Sequence, residues 1–152
     1  MITGGEPLLQ QRRLVPLVAG CAERGWPVEI ETNGTIAPDP QLAEVVQQWN
    51  VSPKLANSGV EIDKRIRPDA LAALVATERA VFKFVVAEVA DLDEVAEVVA
   101  AHTLRPVWIM PEGTDPAGVV ERARALAQPV LDRGWNLTSR LHVLLWGDER
   151  GR

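Results

Sequence analysis

The amino-acid sequence predicts an α/β fold of about six mostly parallel strands, arranged as a partial (β/α) barrel or an open sheet. Strand patterns and helical patterns alternate along the chain at intervals of roughly 22 to 32 residues. Loops rich in Gly, Pro, Asn or Ser follow the strands, and residues 80–86 are almost continuously apolar, as in the doubly buried strands of parallel sheets. Six strands are too few to close an eight-stranded barrel.

Composition limits the classes of function. The chain has 152 residues, enough for one domain with a hydrophobic core. Its 16 basic and 21 acidic residues give a net charge of −5, which argues against a nucleic-acid surface or an anionic-membrane partner. No apolar run approaches the roughly 20 residues that span a bilayer, and no export leader is visible. A single cysteine, Cys21, excludes an internal disulfide framework, so we expect a cytoplasmic protein.

The hydrophobic pattern assigns the elements in order. The helix at 8–25 should be kinked or split by Pro16 and capped by Gly25, and Asp69 should cap a helix running to about residue 76. Further helices are predicted at 40–49, from 91 onward and at 115–134. Strands are predicted at 27–32, from 50, at 80–86, 106–110, 135–138 and 142–146, with an irregular segment at 56–68.

The first motif opens the chain, where the apolar pair at 1–2 runs into Thr3, Gly4, Gly5, Glu6 and a proline. This pattern predicts the end of a buried strand whose backbone turns sharply and lies bare beside a ligand, because glycine tolerates positive φ and admits close approach. Proline then suits the first turn of the following helix. Taken alone, these residues are equally compatible with an ordinary strand-to-helix turn.

Three further motifs follow predicted strands. Glu31 and Asn33 end one strand, at the side where α/β folds bind ligands. Ser52 and Lys54 flank a rigid proline and could clamp a carboxylate, or they could form a solvated loop. The turn at 110–113 follows another buried strand. A polar turn without a further role remains the alternative for these motifs. Lys83 lies inside the strand at 80–86, and a lysine in such a position is more typical of a sheet edge or barrel mouth than of a catalyst.

Together, and in this order, the motifs at 3–7, 31–34, 52–54 and 110–113 resemble the radical S-adenosylmethionine (SAM) superfamily, and within it the 7-carboxy-7-deazaguanine synthase family. Residues 135–147 extend the resemblance toward the C-terminus. The resemblance implies a carbon–nitrogen lyase that converts 6-carboxy-5,6,7,8-tetrahydropterin into 7-carboxy-7-deazaguanine by radical ring contraction, in the biosynthesis of queuosine and other deazapurines. It also implies SAM, a [4Fe–4S] cluster, Mg²⁺, a pterin substrate and a homodimer.

The resemblance also implies roles for single positions. The positions that resemble substrate-contacting residues are Thr3 and His142. For His142, a packed or capping histidine is an equal alternative. The positions that resemble SAM-binding residues are, for the methionine amino group, Gly4, Gly5 and Glu6; for the ribose, Glu31 and Asn33; for the polar clamp, Ser52 and Lys54; and beside the adenine, Met110, Pro111, Glu112 and Gly113. No catalytic residue and no metal ligand is assigned.

The chain departs from the family in its cysteines. A cluster of this type needs three thiolates in a short loop, whereas this chain has only Cys21, on a predicted helix where the family has no ligand. We therefore expect residues 1–152 to be the C-terminal portion of a radical SAM-like domain that lacks its first βα unit, its cluster loop and its Mg²⁺ ligands. Such a chain should perform no radical chemistry, and its bared sheet edge should favour association or aggregation.

A second class of function stays open. The chain could be a non-catalytic βα scaffold that retains a SAM- or purine-binding pocket. The lone cysteine favours this alternative for the polypeptide itself, whereas the four motifs favour the enzyme family for its ancestry.

Overall fold

The fold is a single five-stranded parallel sheet with helices between the strands. The computed structural model describes residues 1–149. The strands follow one another across the sheet in chain order, and Ile2 adds a parallel bridge to Ile30 beyond the first strand. The strand end predicted at residues 1–2 is therefore present as this bridge. The five strands are β1 (Glu29–Thr32), β2 (Gln48–Val51), β3 (Ala80–Val86), β4 (Val107–Pro111) and β5 (Asn136–Leu137).

Within residues 1–149, seven α-helices and two short 3₁₀ helices precede, separate or follow the strands. Their alternation with parallel strands confirms the predicted α/β class. The 3₁₀ helices are Pro7–Gln10 and Ala56–Ser58, and the α-helices are α1 (Gln11–Ala22), α2 (Pro40–Val45), α3 (Ile62–Arg65), α4 (Pro68–Val75), α5 (Asp91–His102), α6 (Pro116–Asp132) and α7 (Leu141–Trp146). None of the described helices is both long enough and apolar enough to cross a membrane.

The hydrophobic core lies on one face of the sheet. Alternate residues of each long strand are fully buried there, among them Ile30, Trp49, Phe82 and Phe84. They form one cluster with apolar residues of α1, α2, α4, α5 and α6. The opposite face is only half-buried, so the expectation that strand 80–86 is buried on both faces is wrong for its second face. A sheet covered by helices on one side and open on the other matches a partial barrel with an accessible inner face.

Several predicted boundaries shift. The helix at 40–49 ends at Val45, because Val46 is extended and Trp49 enters β2, where its ring is buried. The helix at 69–76 begins at Pro68, which suits the first helical position, so Asp69 lies in the first turn and is not the cap. The segment at 56–68 is more ordered than predicted, since it contains a 3₁₀ helix and α3.

The first and last helices also differ from the prediction. After a 3₁₀ turn, α1 runs through Pro16 without being split. The strand predicted at 142–146 is wrong: these residues belong to α7, which buries Val143 and ends before Gly147. Five consecutive apolar-rich residues satisfy a helix or a strand equally well, and contact with α6 decides for the helix.

The one-sided core predicts a stability contrast between neighbours on β3. Replacing Phe84 with Ala should lower the free energy of unfolding by about 3–5 kcal/mol, because a buried aromatic ring leaves a cavity. Replacing Val85, which faces the open side of the sheet, with Ala should lower the free energy of unfolding by about 1 kcal/mol. Urea denaturation followed by circular dichroism measures both values, and equal losses would contradict a core confined to one face.

Candidate functional site

The predicted motifs meet at one edge of the sheet, where the parallel strands end. Thr32 pairs with Val51, and the next amide, Ser52 N–H, donates to the Thr32 carbonyl at 2.7 Å. On the other side, Val86 pairs with Pro111. The carboxyl ends of β1, β2, β3 and β4 are therefore adjacent, and the loop at 3–6 joins them through the Ile2 bridge.

Glu6 anchors the glycine loop to the end of β1. Its carboxylate accepts hydrogen bonds from the Leu8 amide at 3.1 Å, the Thr32 hydroxyl at 2.8 Å and the Asn33 amide at 2.8 Å. A carboxylate has about four acceptor positions, so most of this group's capacity is used inside the protein. Glu6 therefore positions the loop, and what the loop offers to a ligand is its backbone.

Gly4 and Gly5 leave that backbone bare. Their φ angles are +100° and +54°, in the region that favours glycine. No atom lies within 4 Å of the point where a Cβ would stand on either residue. The space that a side chain would fill is thus open to a small molecule, and the peptide oxygens could accept from an ammonium group. The predicted contact of Gly4 and Gly5 with SAM stays a prediction.

A carboxylate–ammonium pair lies on the open face of the sheet. The Lys83 ammonium donates to Glu31 Oε1 at 2.8 Å, and the Thr3 hydroxyl donates to Glu31 Oε2 at 3.0 Å. The hydrogen bond from Lys83 lowers the pKa of the Glu31 carboxyl; burial opposes the shift, while the charges of Lys83 and Lys54 and the Thr3 hydroxyl support it. Glu31 therefore stays ionised beside Thr3, the residue predicted to contact substrate.

The sequence pattern alone did not place Lys83 in this group of residues. It lies on β3, a central strand, and not at a sheet edge. Its position follows from strand parity, since its two buried neighbours, Phe82 and Phe84, face the helices. A lysine alternating with buried aromatic residues was the available signal, but its partner on β1 could be found only once the register was known.

The side-chain oxygen of Asn33 is hydrogen-bonded within its own loop. This oxygen accepts from the Thr35 amide at 2.9 Å and the Thr35 hydroxyl at 2.6 Å. These bonds stabilise the turn that follows β1. Gly34 is required in that turn, because φ is +77° and a Cβ would come within 2.8 Å of Val51. The side chain of Asn33 thus serves its own loop in this structure.

Lys54 and Glu112 both line a cavity of about 510 Å³. It lies at the edge of the sheet where the parallel strands end, which is called the ligand edge below. Ser52 is almost fully buried and is not among the residues that line the cavity. The Glu112 amide donates to the Val86 carbonyl at 2.8 Å, and Arg122 donates to the Glu112 carbonyl. The remaining lining residues are Pro53, Leu55, Asn57, Ser58, Val85 and Ala87.

The other predicted adenine-side residues continue from β4. Met110 is half-buried and shares the open face with Lys83, while Pro111 is buried at the strand end. Gly113 has a φ of +150°, and a Cβ there would come 2.8 Å from Val119. Its carbonyl accepts from Arg140 at 2.7 Å.

His142 does not lie at the mouth of a strand. It is exposed on α7, two residues beyond Arg140. The structure therefore removes the strand geometry on which its predicted placement depended. Its contact with substrate stays a prediction.

The cluster expected for the family does not fit this chain. The sequence offers one thiol, Cys21, which is half-buried on α1 and packs against the core. A [4Fe–4S] cluster of this type needs three thiolates. Within residues 1–149, no three His, Cys, Asp or Glu side chains are grouped as a metal site.

Comparison with known proteins identifies the family. The chain is 37% identical over 155 residues to the 7-carboxy-7-deazaguanine synthase of Pyrobaculum aerophilum, a match that covers 100% of this chain and 67% of that protein. The chain belongs to the 7-carboxy-7-deazaguanine synthase family. It is also 37% identical over 153 residues to the synthase of Hyperthermus butylicus, covering 95% of this chain and 64% of that protein. The chain thus spans about two thirds of the length of these relatives.

Solved structures support the same fold. QueE from Escherichia coli matches with a TM-score of 0.66 and 28% identity, over 91% of this chain and 54% of that one. SuiB from Streptococcus suis, solved bound to S-adenosylmethionine, shares the fold with a TM-score of 0.60 and 15% identity, over 93% and 40% of the two chains. No protein-family model matches the sequence.

The Glu31–Lys83 pair predicts a specific pH response. Because the folded-state pKa of Glu31 is lowered, the pair stabilises the fold above the unfolded-state pKa, and this contribution is lost as the pH falls through the folded-state value. Lys83→Met should raise the pKa of Glu31 and flatten the acid limb of the stability–pH curve. Carbon-13 NMR titration of the Glu31 carboxyl measures the shift.

The control for this titration is Lys64→Met, which removes an exposed lysine paired with Glu61. It should leave the pKa of Glu31 unchanged. A Glu31 pKa that is the same with and without Lys83 would contradict the assigned cause.

Proposed function

We propose that this chain forms the SAM- and substrate-facing side of a 7-carboxy-7-deazaguanine synthase. The activity inferred for the whole enzyme is the radical ring contraction of 6-carboxy-5,6,7,8-tetrahydropterin to 7-carboxy-7-deazaguanine, a carbon–nitrogen lyase reaction. The observation that carries the proposal is that four separated motifs lie along one edge of the sheet. This edge presents a bare glycine backbone and, beside Lys54 and Glu112, an open cavity. Membership of the family supports this proposed activity.

The ligand edge offers complementary groups for each part of SAM. Peptide oxygens of Gly4 and Gly5 would accept from the methionine ammonium. Ser52 and Lys54 would clamp the carboxylate, one by a hydroxyl and the other by charge. Residues 110–113 would border the adenine. When bound beside a reduced cluster, SAM supplies hydrogen-atom abstraction, and the part of this chain is to bind and orient it.

The open face offers a second polar subsite for the pterin. Thr3, Glu31 and Lys83 form one hydrogen-bonded group there. An ionised carboxylate would accept N–H groups of a pterin, while a lysine ammonium would pair with a substrate carboxylate. Contact between Glu31 and Thr3 therefore favours a substrate role for Glu31 over the ribose role implied by the resemblance.

This polypeptide should bind SAM without carrying out the radical reaction. Its single cysteine cannot supply the three thiolates of the cluster, and no step of the reaction can be assigned to its residues without one. The alternative function, a non-catalytic scaffold that binds SAM or a purine, is favoured by the same cysteine count. Either function requires the ligand edge to accept SAM or a fragment of it.

Calorimetric titration of SAM into the purified chain tests the ligand edge. We expect saturable binding that Gly4→Val weakens by about tenfold or more, because the side chain fills the ligand's space and strains the backbone. Gly134→Val is the matched control, since Gly134 also has positive φ, +69°, with open space around it, but follows α6. Absence of binding, or equal weakening by both variants, would refute the proposed SAM site.

Anaerobic reconstitution with iron and sulfide tests the cluster expectation. The chain should incorporate far less than the roughly four irons of one cluster, because it lacks the thiolates. Cys21→Ala should leave the iron content unchanged, since Cys21 packs against the core. About four irons per chain, lost in the Cys21 variant, would contradict the assignment.

A further inference from the structure

An ion pair behind the ligand edge joins α3 to α5. Arg65 Nη1 lies 2.6 Å from Glu94 Oε1. Among the described residues, Arg65 is the one charged residue that is buried, at 7% exposure, and the Glu94 side chain is 24% exposed. Removing Glu94 would leave the buried Arg65 guanidinium without its charged partner.

The same two side chains hold the backbone that follows the Ser52-Pro53-Lys54 motif. Arg65 Nη1 donates to the Lys54 carbonyl at 3.1 Å, and Arg65 Nε donates to the Val60 carbonyl at 3.0 Å. Glu94 Oε2 accepts the Ala56 amide at 2.9 Å. Arg65 therefore fixes both ends of the segment 54–60, and Glu94 fixes the Ala56 amide between them.

The segment 54–60 also forms a wall of the 510 Å³ cavity. Lys54, Leu55, Asn57 and Ser58 line it. Among them, Leu55 is buried, while Lys54 is exposed. Arg65 holds the Lys54 carbonyl, which belongs to the backbone from which the Lys54 side chain extends.

We propose that Arg65, paired with Glu94, is a positioning residue that sets the Ser52-Pro53-Lys54 loop in the conformation that receives a ligand carboxylate. The inference rests on the proposed function of that loop. A guanidinium is needed because its planar fork directs Nη1 and Nε to two carbonyls while the charge pairs with Glu94. A lysine could keep the charge but could not reach both carbonyls.

Hydrogen exchange of the ligand-free chain, read by mass spectrometry, tests the positioning role directly. Arg65→Lys should accelerate exchange in residues 54–60 by about tenfold or more, while β3 stays within about twofold, because the loop opens locally. Glu94→Gln is a second variant, which keeps the shape of the side chain and removes its negative charge. It should accelerate exchange in the same residues. Asp93→Asn is the matched control on α5, since it breaks only the exposed pair with Arg133.

Two exchange results would overturn the proposal. Unchanged exchange in residues 54–60 would show that the pair does not hold the loop. Equal acceleration in β3 would show that the pair supports the whole fold and has no specific role at the cavity.

A double-mutant cycle on the SAM dissociation constant links the pair to binding. Arg65→Lys should raise the constant about tenfold in the unmodified chain but less than about twofold when Lys54 is already Ala, because the effect acts through Lys54. The same factor in both backgrounds would contradict a positioning role. If the unmodified chain binds no SAM, the proposed function fails, and the exchange experiment still decides whether Arg65 holds the loop.

Discussion

Parallel pairing in chain order is the constraint on which the candidate site depends. Each strand of such a sheet ends at the same edge, so a loop that follows any strand meets the loops that follow its neighbours. The Ile2 bridge adds the glycine loop to that edge. Motifs that are distant in sequence therefore become neighbours because of the sheet topology. No direct contact between their side chains is needed. Reversing one strand would separate the motifs.

Buried and half-buried charges then give the edge its local order. Glu6 holds the glycine loop to β1, Arg65 and Glu94 hold the segment after β2, and Arg122 holds the segment after β4. In each case a charged side chain bonds to backbone groups of a loop. Charge-assisted hydrogen bonds of this kind are stronger than neutral ones. The groups left facing the ligand side are the glycine backbone, Lys54 and the pair on the open face.

The sequence predicted what depends on local pattern. The strand at 80–86 was confirmed residue for residue, because a short, nearly continuous apolar run rich in Val and Phe favours a strand. The last strand was wrong, since the apolar run at 142–146 fits either structure and only packing on α6 selects α7. The motifs were located from their glycines and prolines. The Glu31–Lys83 and Arg65–Glu94 pairs were not, because a pair across elements depends on register and packing that a single sequence does not encode locally.

Amide chemical-shift mapping by NMR, with SAM added to the 152-residue chain, tests the central claim most directly. The account predicts shifts concentrated at Gly4 and Gly5, in residues 52–58 and at 112–113, all on the ligand edge. Shifts confined to the far edge, for example around the cavity at Trp135 and Asn136, would contradict it. Absence of shifts at saturating SAM would equally contradict a SAM site built from these motifs.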